Sequence, residues 1–316
     1  MARVAIVIVT YQSSAFIGAC LDSVLRVPDV EIVVVDNASA DSTPVRIEEK
    51  GVRLIRNSEN RGFAAAVNQG VRATSAPLIL LLNPDARLET GLEPMIARFD
   101  APQTAAVGGL LLDEDGKPQT GFMVRNLPTA AALSFEALGI NRIWPGNPVN
   151  WHYRCLQNHP MNSALVDQPA GAFLMFRREA WLRVGGFDEN FWPVWFEDVD
   201  FCARLKRAGY RIWYEPAARA MHAGGHSVRE IPFSEKEKYW YDSLLKYAAK
   251  SFHPIAFAGV CLAVMVGAAA RAVRALPRGG SSVFAVYGEV IRFTFVHLRK
   301  AGAHLRGTGR PGGRSC

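Results

Sequence analysis

Residues 3–11, RVAIVIVTY, decide how the rest of the chain is read. An apolar, largely β-branched run without polar alternation does not suit a strand with one wet face. It suits a strand covered on both faces, as in a parallel sheet. The run stops at Thr10 and Tyr11, polar groups that packing does not need. Outward from it the pattern repeats. Residues 14–25 have helical spacing of apolar positions, 31–35 (EIVVV) are a second strand and 43–50 a second helix. A short strand at 52–55 (VRLI), a helix at 62–73 and a fourth strand at 77–82 (PLILLL) follow. Strands alternating with helices predict an open α/β sheet, mixed but mainly parallel, with helices on both faces.

The chain has 316 residues, 49% hydrophobic and 21% charged, which excludes wholesale disorder and allows one large domain or two smaller ones. Its five cysteines lack paired spacing, which argues against a disulfide framework or a zinc site and fits a reducing compartment. The first residues show no cleavage site for a signal peptide. The net charge of +7 is uneven. From Arg271 onward eight Arg and one Lys face only Glu289, giving +8, so residues 1–270 sum to −1. A near-neutral body with a basic tail suits an anionic membrane surface or a nucleic acid.

Three strands end in polar groups: Thr10 and Tyr11, then Asp36 and Asn37, then Asn83 and Asp85. In open parallel sheets ligands bind beyond the carboxyl ends of the strands, so these groups gather where a site is expected. No GxGxxG and no GxxxxGK[ST] is present, which removes the main support for dinucleotide and P-loop readings. Asp85 can instead hold a divalent cation that bridges phosphate oxygens.

Further along, 105–112 is expected as a strand, 127–159 as a long loop, 168–177 (QPAGAFLMFR) as a strand and 178–184 as a short helix. Glu197, Asp198 and Asp200 open a helix that Gly209 stops. Acids favour helix N-termini without any catalytic purpose. Here, however, they follow Phe191, Trp192, Trp195 and Phe196. A carboxylate desolvated against aromatic surface has a raised pKa and suits a general base, and the same surface can pack a sugar ring. On these residues alone, catalysis and capping stay equally open. After a strand at 210–215, His222 and His226 flank two glycines in an expected loop, a set that with a carboxylate suits Mn²⁺ or Mg²⁺.

Seven segments, IVTYQS, VVVDNASADST, NRGFAAAVNQG, LLLNPDARL, PAGAFLMFRREAWLRVGGFDENFW, FEDVDFCARLKRAGYRIWYEP and HAGGHS, occur in one order over residues 4 to 227. Together they resemble the family 2 inverting glycosyltransferases, which have a GT-A fold, and within them the bacterial rhamnosyltransferase-like branch. The resemblance implies that Thr10, Tyr11 and Asp36 surround the nucleoside of a nucleotide-sugar. It implies that Arg61, Gly62, Asn68 and Asn83 line the nucleotide and donor sugar. Asp85 becomes the expected ligand of Mg²⁺ or Mn²⁺, with Asn83 replacing the first aspartate of the family's DxD, and His222 helps hold the metal–diphosphate. Gly171, Ala172, Trp195 and Glu197 fall on the acceptor side, and Asp198 matches the catalytic base. The implied donor is dTDP-rhamnose or a UDP-hexose, and the implied acceptor a glycolipid or polysaccharide precursor. A metal-dependent nucleotidyltransferase and a non-catalytic carbohydrate-binding protein are the alternatives; the first lacks a basic, glycine-rich triphosphate loop.

Residues 1–230 are expected to form the catalytic domain and 231–316 a basic helical extension. In the extension, 234–250 and 282–298 read as helices, and 255–270 (IAFAGVCLAVMVGAAA) is an uncharged run of sixteen, shorter than a span of about 20 residues. Docking on the inner face of the cytoplasmic membrane is favoured over core packing, a dimer interface or a true span. Nucleic acid is not an expected partner, homo-oligomerisation stays open, and the last dozen residues are expected to be disordered.

Overall fold

A computed structural model of the chain describes residues 2–224, 231–275 and 281–307. The chain divides into two compact units, Met1–Leu127 with Trp151–Ile231, and Pro128–Asn150 with Pro232–Cys316. The last of the three breaks falls between Ile231 and Pro232, one residue beyond the expected boundary. Residues 128–150, expected within the catalytic domain, instead join the C-terminal unit.

The first unit is built on a nine-stranded mixed sheet. Strands β1 (Val4–Thr10), β2 (Val30–Asp36), β3 (Arg53–Arg56) and β4 (Leu78–Leu82) alternate with helices α1 (Ile17–Val24), α2 (Thr43–Glu48) and α3 (Phe63–Arg72). Next come β5 (Ala86–Leu88), α4 (Glu93–Ala97) and β6 (Thr104–Leu112). The sheet order is β3-β2-β1-β4-β10-β6-β11-β5, with β10 spanning Phe173–Arg177 and β11 Arg211–His222. The four N-terminal strands pair in parallel, and β10 runs antiparallel between β4 and β6. β1 and β4 are buried along their whole lengths, as continuous apolar runs require. Gly70 lets α3 lie close on the sheet, because a Cβ there would stand 2.5 Å from Val7 Cγ1.

Three expectations need correction. The segment 127–159 is not a long loop but carries α5 (Ala130–Leu138), α6 (Ile140–Ile143) and α7 (Pro148–Tyr153). Thr129 caps α5 by accepting the Ala132 N–H at 3.1 Å, and Gly139 ends it in the left-handed region. Proline and asparagine nearby concealed these signals. The expected strand 168–177 is broken into β9 (Gln168–Pro169) and β10, and β9 leaves the main sheet to pair with β7 (Val124–Arg125). Strand β11 runs through His222, which was expected in a loop.

After β8 (Ala164–Leu165), the unit adds α8 (Arg178–Val184) and α9 (Glu197–Arg207). Phe176, Phe187 and Phe201 form an aromatic core, with the Phe187 and Phe201 rings stacked at 4.3 Å. In the second unit, α10 (Phe233–Ser251), α11 (Pro254–Ala275) and α12 (Ser281–Gly307) pack on one another, and α11 packs on α5. Gly267 permits the approach: a Cβ there would lie 2.0 Å from the Ala137 carbonyl oxygen, which accepts from Arg271 Nη1 at 2.5 Å. Helix α11 is longer than its uncharged run. Among the described residues it alone is long and apolar enough to cross a membrane, and 44% of that stretch is buried. Of the last dozen residues, 305–307 end α12 and the others lie outside the described residues.

Gly109 of β6 provides a test of the packing. A Cβ there would stand 2.1 Å from Phe173 Cε1 and 2.9 Å from the Ala218 oxygen. Gly109→Ala should therefore cost about 1–3 kcal/mol in urea unfolding. Gly18→Ala, where nothing lies within 4 Å of the new carbon, should stabilise α1 by about 0.5–1 kcal/mol in the same measurement.

Candidate active site

The strand register sets the site. Thr10 lies opposite Asp36, and Ile8 opposite Leu82, so the ends of β1, β2 and β4 share one edge of the sheet. Asp36 is buried there. Its Oδ1 accepts from Thr10 Oγ1 at 2.9 Å and Ser39 Oγ at 2.6 Å, and its Oδ2 from the Ser39 N–H at 3.0 Å. Tyr11 is half-buried beside it. Asn37 Nδ2 donates to the Gly62 carbonyl at 3.1 Å, tying the loop that carries exposed Arg61 to the end of β2. Gly62 has φ +85, and a Cβ on it would meet Trp192 Cδ1 at 2.7 Å. The segment that precedes the acidic helix thus lies directly on this loop.

At the end of β4 the chain turns through Asn83, Pro84 and Asp85 into β5. The final residue of β11, His222, pairs with Ala86, and the Ala223 N–H donates to the Asp85 carbonyl at 3.1 Å. His222 Nε2 consequently stands 3.5 Å from Asp85 Oδ1 and 3.5 Å from Asn83 Nδ2. The tautomer follows from Gln119. Its Nε2 donates to the His222 carbonyl at 2.7 Å, which turns its Oε1 to Nδ1 at 2.9 Å. A carbonyl oxygen only accepts, so Nδ1 carries the proton and Nε2 offers its lone pair toward Asp85. Burial lowers the His222 pKa and keeps the ring neutral, and Phe122 stacks on it at 5.4 Å. His226 lies outside the described residues. Among the described residues no three His, Cys, Asp or Glu side chains form a cation cage.

The break between β9 and β10 brings the acidic helix to this edge. Gly171 donates its N–H to Asp198 Oδ2 at 3.0 Å, and Gln168 Nε2 donates to the same oxygen at 3.1 Å. One residue on, the Ala172 carbonyl accepts the Asn83 N–H at 3.0 Å. Two consecutive residues therefore hold both Asp198 and the strand end that carries Asp85. Trp195 and Phe196, at φ +82 and +69, twist the chain into α9. Such left-handed non-glycine residues cost of order 1–3 kcal/mol each and concentrate at functional sites. Burial raises the Asp198 pKa against the pull of its N–H donors and of the Arg125 charge.

The profile of glycosyl transferase family 2 matches residues 5–166, about half of the chain. A second profile, described as the N-terminal domain of galactosyltransferase, matches residues 153–226. The chain is 31% identical over 248 residues to the N-acetylglucosaminyl-diphospho-decaprenol L-rhamnosyltransferase of Mycobacterium tuberculosis, covering 72% of this chain and 78% of that one. The chain belongs to glycosyltransferase family 2. Within the family it is rhamnosyltransferase-like: rhamnosyltransferase WbbL of Escherichia coli is 29% identical over 195 residues, 60% of this chain and 69% of its relative. The fold of this glycosyltransferase is GT-A. A mannosyltransferase from Pyrobaculum calidifontis, solved with GDP-Man and Mn²⁺, superposes with a TM-score of 0.55 at 18% identity, covering 98% of this chain and 88% of that one. GalNAc-T7 superposes with a TM-score of 0.53 at 15% identity, over 79% and 50% respectively.

Asn68, which the family resemblance placed along the nucleotide and donor sugar, and Glu197, which it placed on the acceptor side, are both buried in this glycosyltransferase. Asn68 is 1% exposed. Its Oδ1 accepts from the Phe187 N–H at 2.9 Å and Trp181 Nε1 at 3.1 Å, while its Nδ2 donates to the Phe187 carbonyl and to Glu189. It fastens α3 to the 181–189 turn, with both amide atoms engaged by protein groups. Glu197 is buried with Oε2 unpartnered among the described residues. Burial, and then the Asp198 charge, push its pKa well above the ordinary range. Asp200 is likewise internal, paired with Arg204 at 2.7 Å. Conversely, Gln119, Phe122, Arg125 and Gln168 surround the site and were given no role from sequence. Gln168 lay inside an expected strand, and the other three in a stretch without periodicity.

Replacing Asn68 by Ala strands two buried donors and a buried carbonyl. Asn68→Ala should lose at least about 2 kcal/mol in chemical unfolding. In calorimetry at a temperature where it stays folded, its nucleotide affinity should be unchanged.

Proposed function

We propose that this enzyme moves a sugar from a nucleoside-diphosphate sugar onto a hydroxyl of a lipid-diphosphate-linked glycan or polysaccharide precursor, with inversion at the anomeric carbon. One observation carries the reading: the Gly171–Ala172 segment joins the Asp198 carboxylate to the strand end bearing Asp85 and His222. A proton acceptor and a place for a diphosphate leaving group are thereby neighbours. The relatives' names support rhamnose as the sugar and a diphosphate-linked acceptor; dTDP-rhamnose is the donor that the family resemblance implies, with a UDP-hexose as the other.

A divalent cation fits Asp85 and His222. An imidazole lone pair and a carboxylate oxygen 3.5 Å apart are close enough to touch one ion. Their mixed chemistry suits Mg²⁺ or Mn²⁺ and favours Mn²⁺. Asn83 stands in place of a second carboxylate, so Asp85 and His222 would be the two protein groups holding the cation. Bound there, the cation would supply positive charge against that growing on the leaving diphosphate. The other tasks fall to the chain itself. Asp198 accepts the proton of the attacking hydroxyl, and its raised pKa strengthens it as a base. Gly171 and Gln168 hold Oδ2, aiming the carboxylate; a Cβ on Gly171 would press on Asp198 Cβ at 3.3 Å. Thr10, Tyr11 and Asp36 receive the nucleoside, Arg61 and Gly62 border it, and Trp195 offers an aromatic wall to the acceptor.

The reading is tested by nucleoside diphosphate release that requires both Mg²⁺ or Mn²⁺ and an added acceptor. Asp198→Asn should lower kcat at least about 100-fold with nucleotide-sugar affinity retained. In the parent enzyme, kcat should fall as pH drops through a value above the ordinary aspartate pKa of 3.8, because the base is then protonated. Substantial turnover by the Asn variant removes the assignment.

We further propose that the C-terminal unit docks on an anionic membrane surface. On α11, Ile255, Leu262, Val266 and Val273 are exposed at helical spacing, and Arg274, Arg292 and Arg299 are exposed on the same unit. Aliphatic side chains with basic neighbours suit an interfacial helix. The full chain should float with anionic liposomes at low salt, and the double substitution Leu262→Glu, Val266→Glu should leave it in the soluble fraction.

A further inference from the structure

Arg125 has no part in the mechanism above, yet its surroundings are unusual. It pairs with Gln168 in the β7–β9 ladder, across from the side chain that holds Asp198 Oδ2. Its Nε donates to the Gly121 carbonyl at 2.9 Å. Its guanidinium carbon lies 5.8 Å from the ring centres of both Phe122 and Tyr153. The group is therefore fixed in orientation by one hydrogen bond and two aromatic faces. Neither Nη makes a hydrogen bond or a carboxylate ion pair among the described residues, although Asp198 feels the charge.

Other half-buried arginines in this chain behave differently. Arg98 uses an Nη on Glu215, Arg177 on the Phe99 carbonyl, Arg178 on Val71 and Thr74, Arg204 on Val184 and Gly186, and Arg271 on Ala137. Each is consumed by the fold. Arg125 keeps the fork that matches a phosphate in two parallel hydrogen bonds. Arg154 stands close by: a Cβ built on Gly121, at φ +79, would meet its Cβ at 3.3 Å and its Cδ at 3.5 Å. Arg125 thus bonds the Gly121 carbonyl while Arg154 packs against its Cα side, and glycine is what leaves room for Arg154.

We infer that Arg125, with Arg154 beside it, receives a phosphate group of the acceptor. The acceptor is favoured over the donor because Arg125 pairs with Gln168, whose amide holds Asp198, the base proposed for the attacking hydroxyl. The donor's diphosphate belongs at Asp85 and His222. The inference rests on the glycosyl-transfer reading and adds to it a reason for choosing acceptors that carry phosphate at the reducing end of the glycan.

The test compares two acceptors bearing the same sugar, farnesyl-diphosphate N-acetylglucosamine and octyl N-acetylglucosaminide, in the full-length enzyme. Parent enzyme should prefer the diphosphate acceptor in kcat/KM. Arg125→Ala should shrink that preference about 10- to 100-fold. Arg125→Lys, which keeps charge without the fork, should recover part of it. Any general effect on the base cancels in the ratio. Affinity for nucleoside diphosphate with Mn²⁺, measured by calorimetry without acceptor, should be the same in all three proteins. An unchanged acceptor ratio in both variants overturns the inference, as does parent enzyme that uses both acceptors equally well. A loss of nucleoside diphosphate affinity in the variants also overturns it, by assigning Arg125 to the donor. Failure of the parent to glycosylate either acceptor overturns the transfer reading and this inference with it.

Discussion

The peptide N–H of Gly171 rests on Asp198, and the next carbonyl receives the N–H of Asn83. Residues from three distant parts of the chain are brought together by this two-residue hinge between β9 and β10. A continuous strand over 168–177 would point these groups along the sheet. The interruption turns them outward, and the cost of leaving the ladder is offset by pairing β9 with β7. Gly108 and Gly109 make room for this departure: Cβ atoms on them would strike Pro169 and Phe173. A site that reads as loops is thus determined by packing beneath it.

Much of the sheet was legible because buried parallel strands leave an unambiguous trace, a continuous apolar run ending in polar residues. β1, β2 and β4 fall within a residue or two of expectation, and their ends do meet. What stayed hidden was non-local. Nothing in QPAGAFLMFR marks where the strand breaks, since Pro169 and Gly171 also suit an edge strand or a bulge. Asn68 looked like a polar group facing a ligand, but it is a clamp whose partners lie more than a hundred residues away. The three acids of α9 share one composition and have three fates: Glu197 is buried with its pKa raised, Asp198 is held at the site and Asp200 is paired with Arg204. Only the tertiary surroundings separate them.

The 119–125 segment shows the same limit more strongly. Without periodicity, motif or charge cluster, it supplies Gln119 to the imidazole, Phe122 to the ring face and Arg125 to the strand pair beside Gln168. Polar side chains that orient other side chains seldom leave a pattern in one sequence.

Phe122 lies against His222 on one hand and Arg125 on the other. Seven residues of backbone therefore touch both halves of the cleft. The ring of Phe122 is thus held from two sides, by the imidazole at the end of β11 and by a guanidinium of its own segment. Thermodynamic linkage is reciprocal: whatever factor one substrate imposes on the affinity for its partner is returned unchanged. Were a ligand at His222 to alter the grip on Phe122, that linkage would require Arg125 to answer it in equal measure.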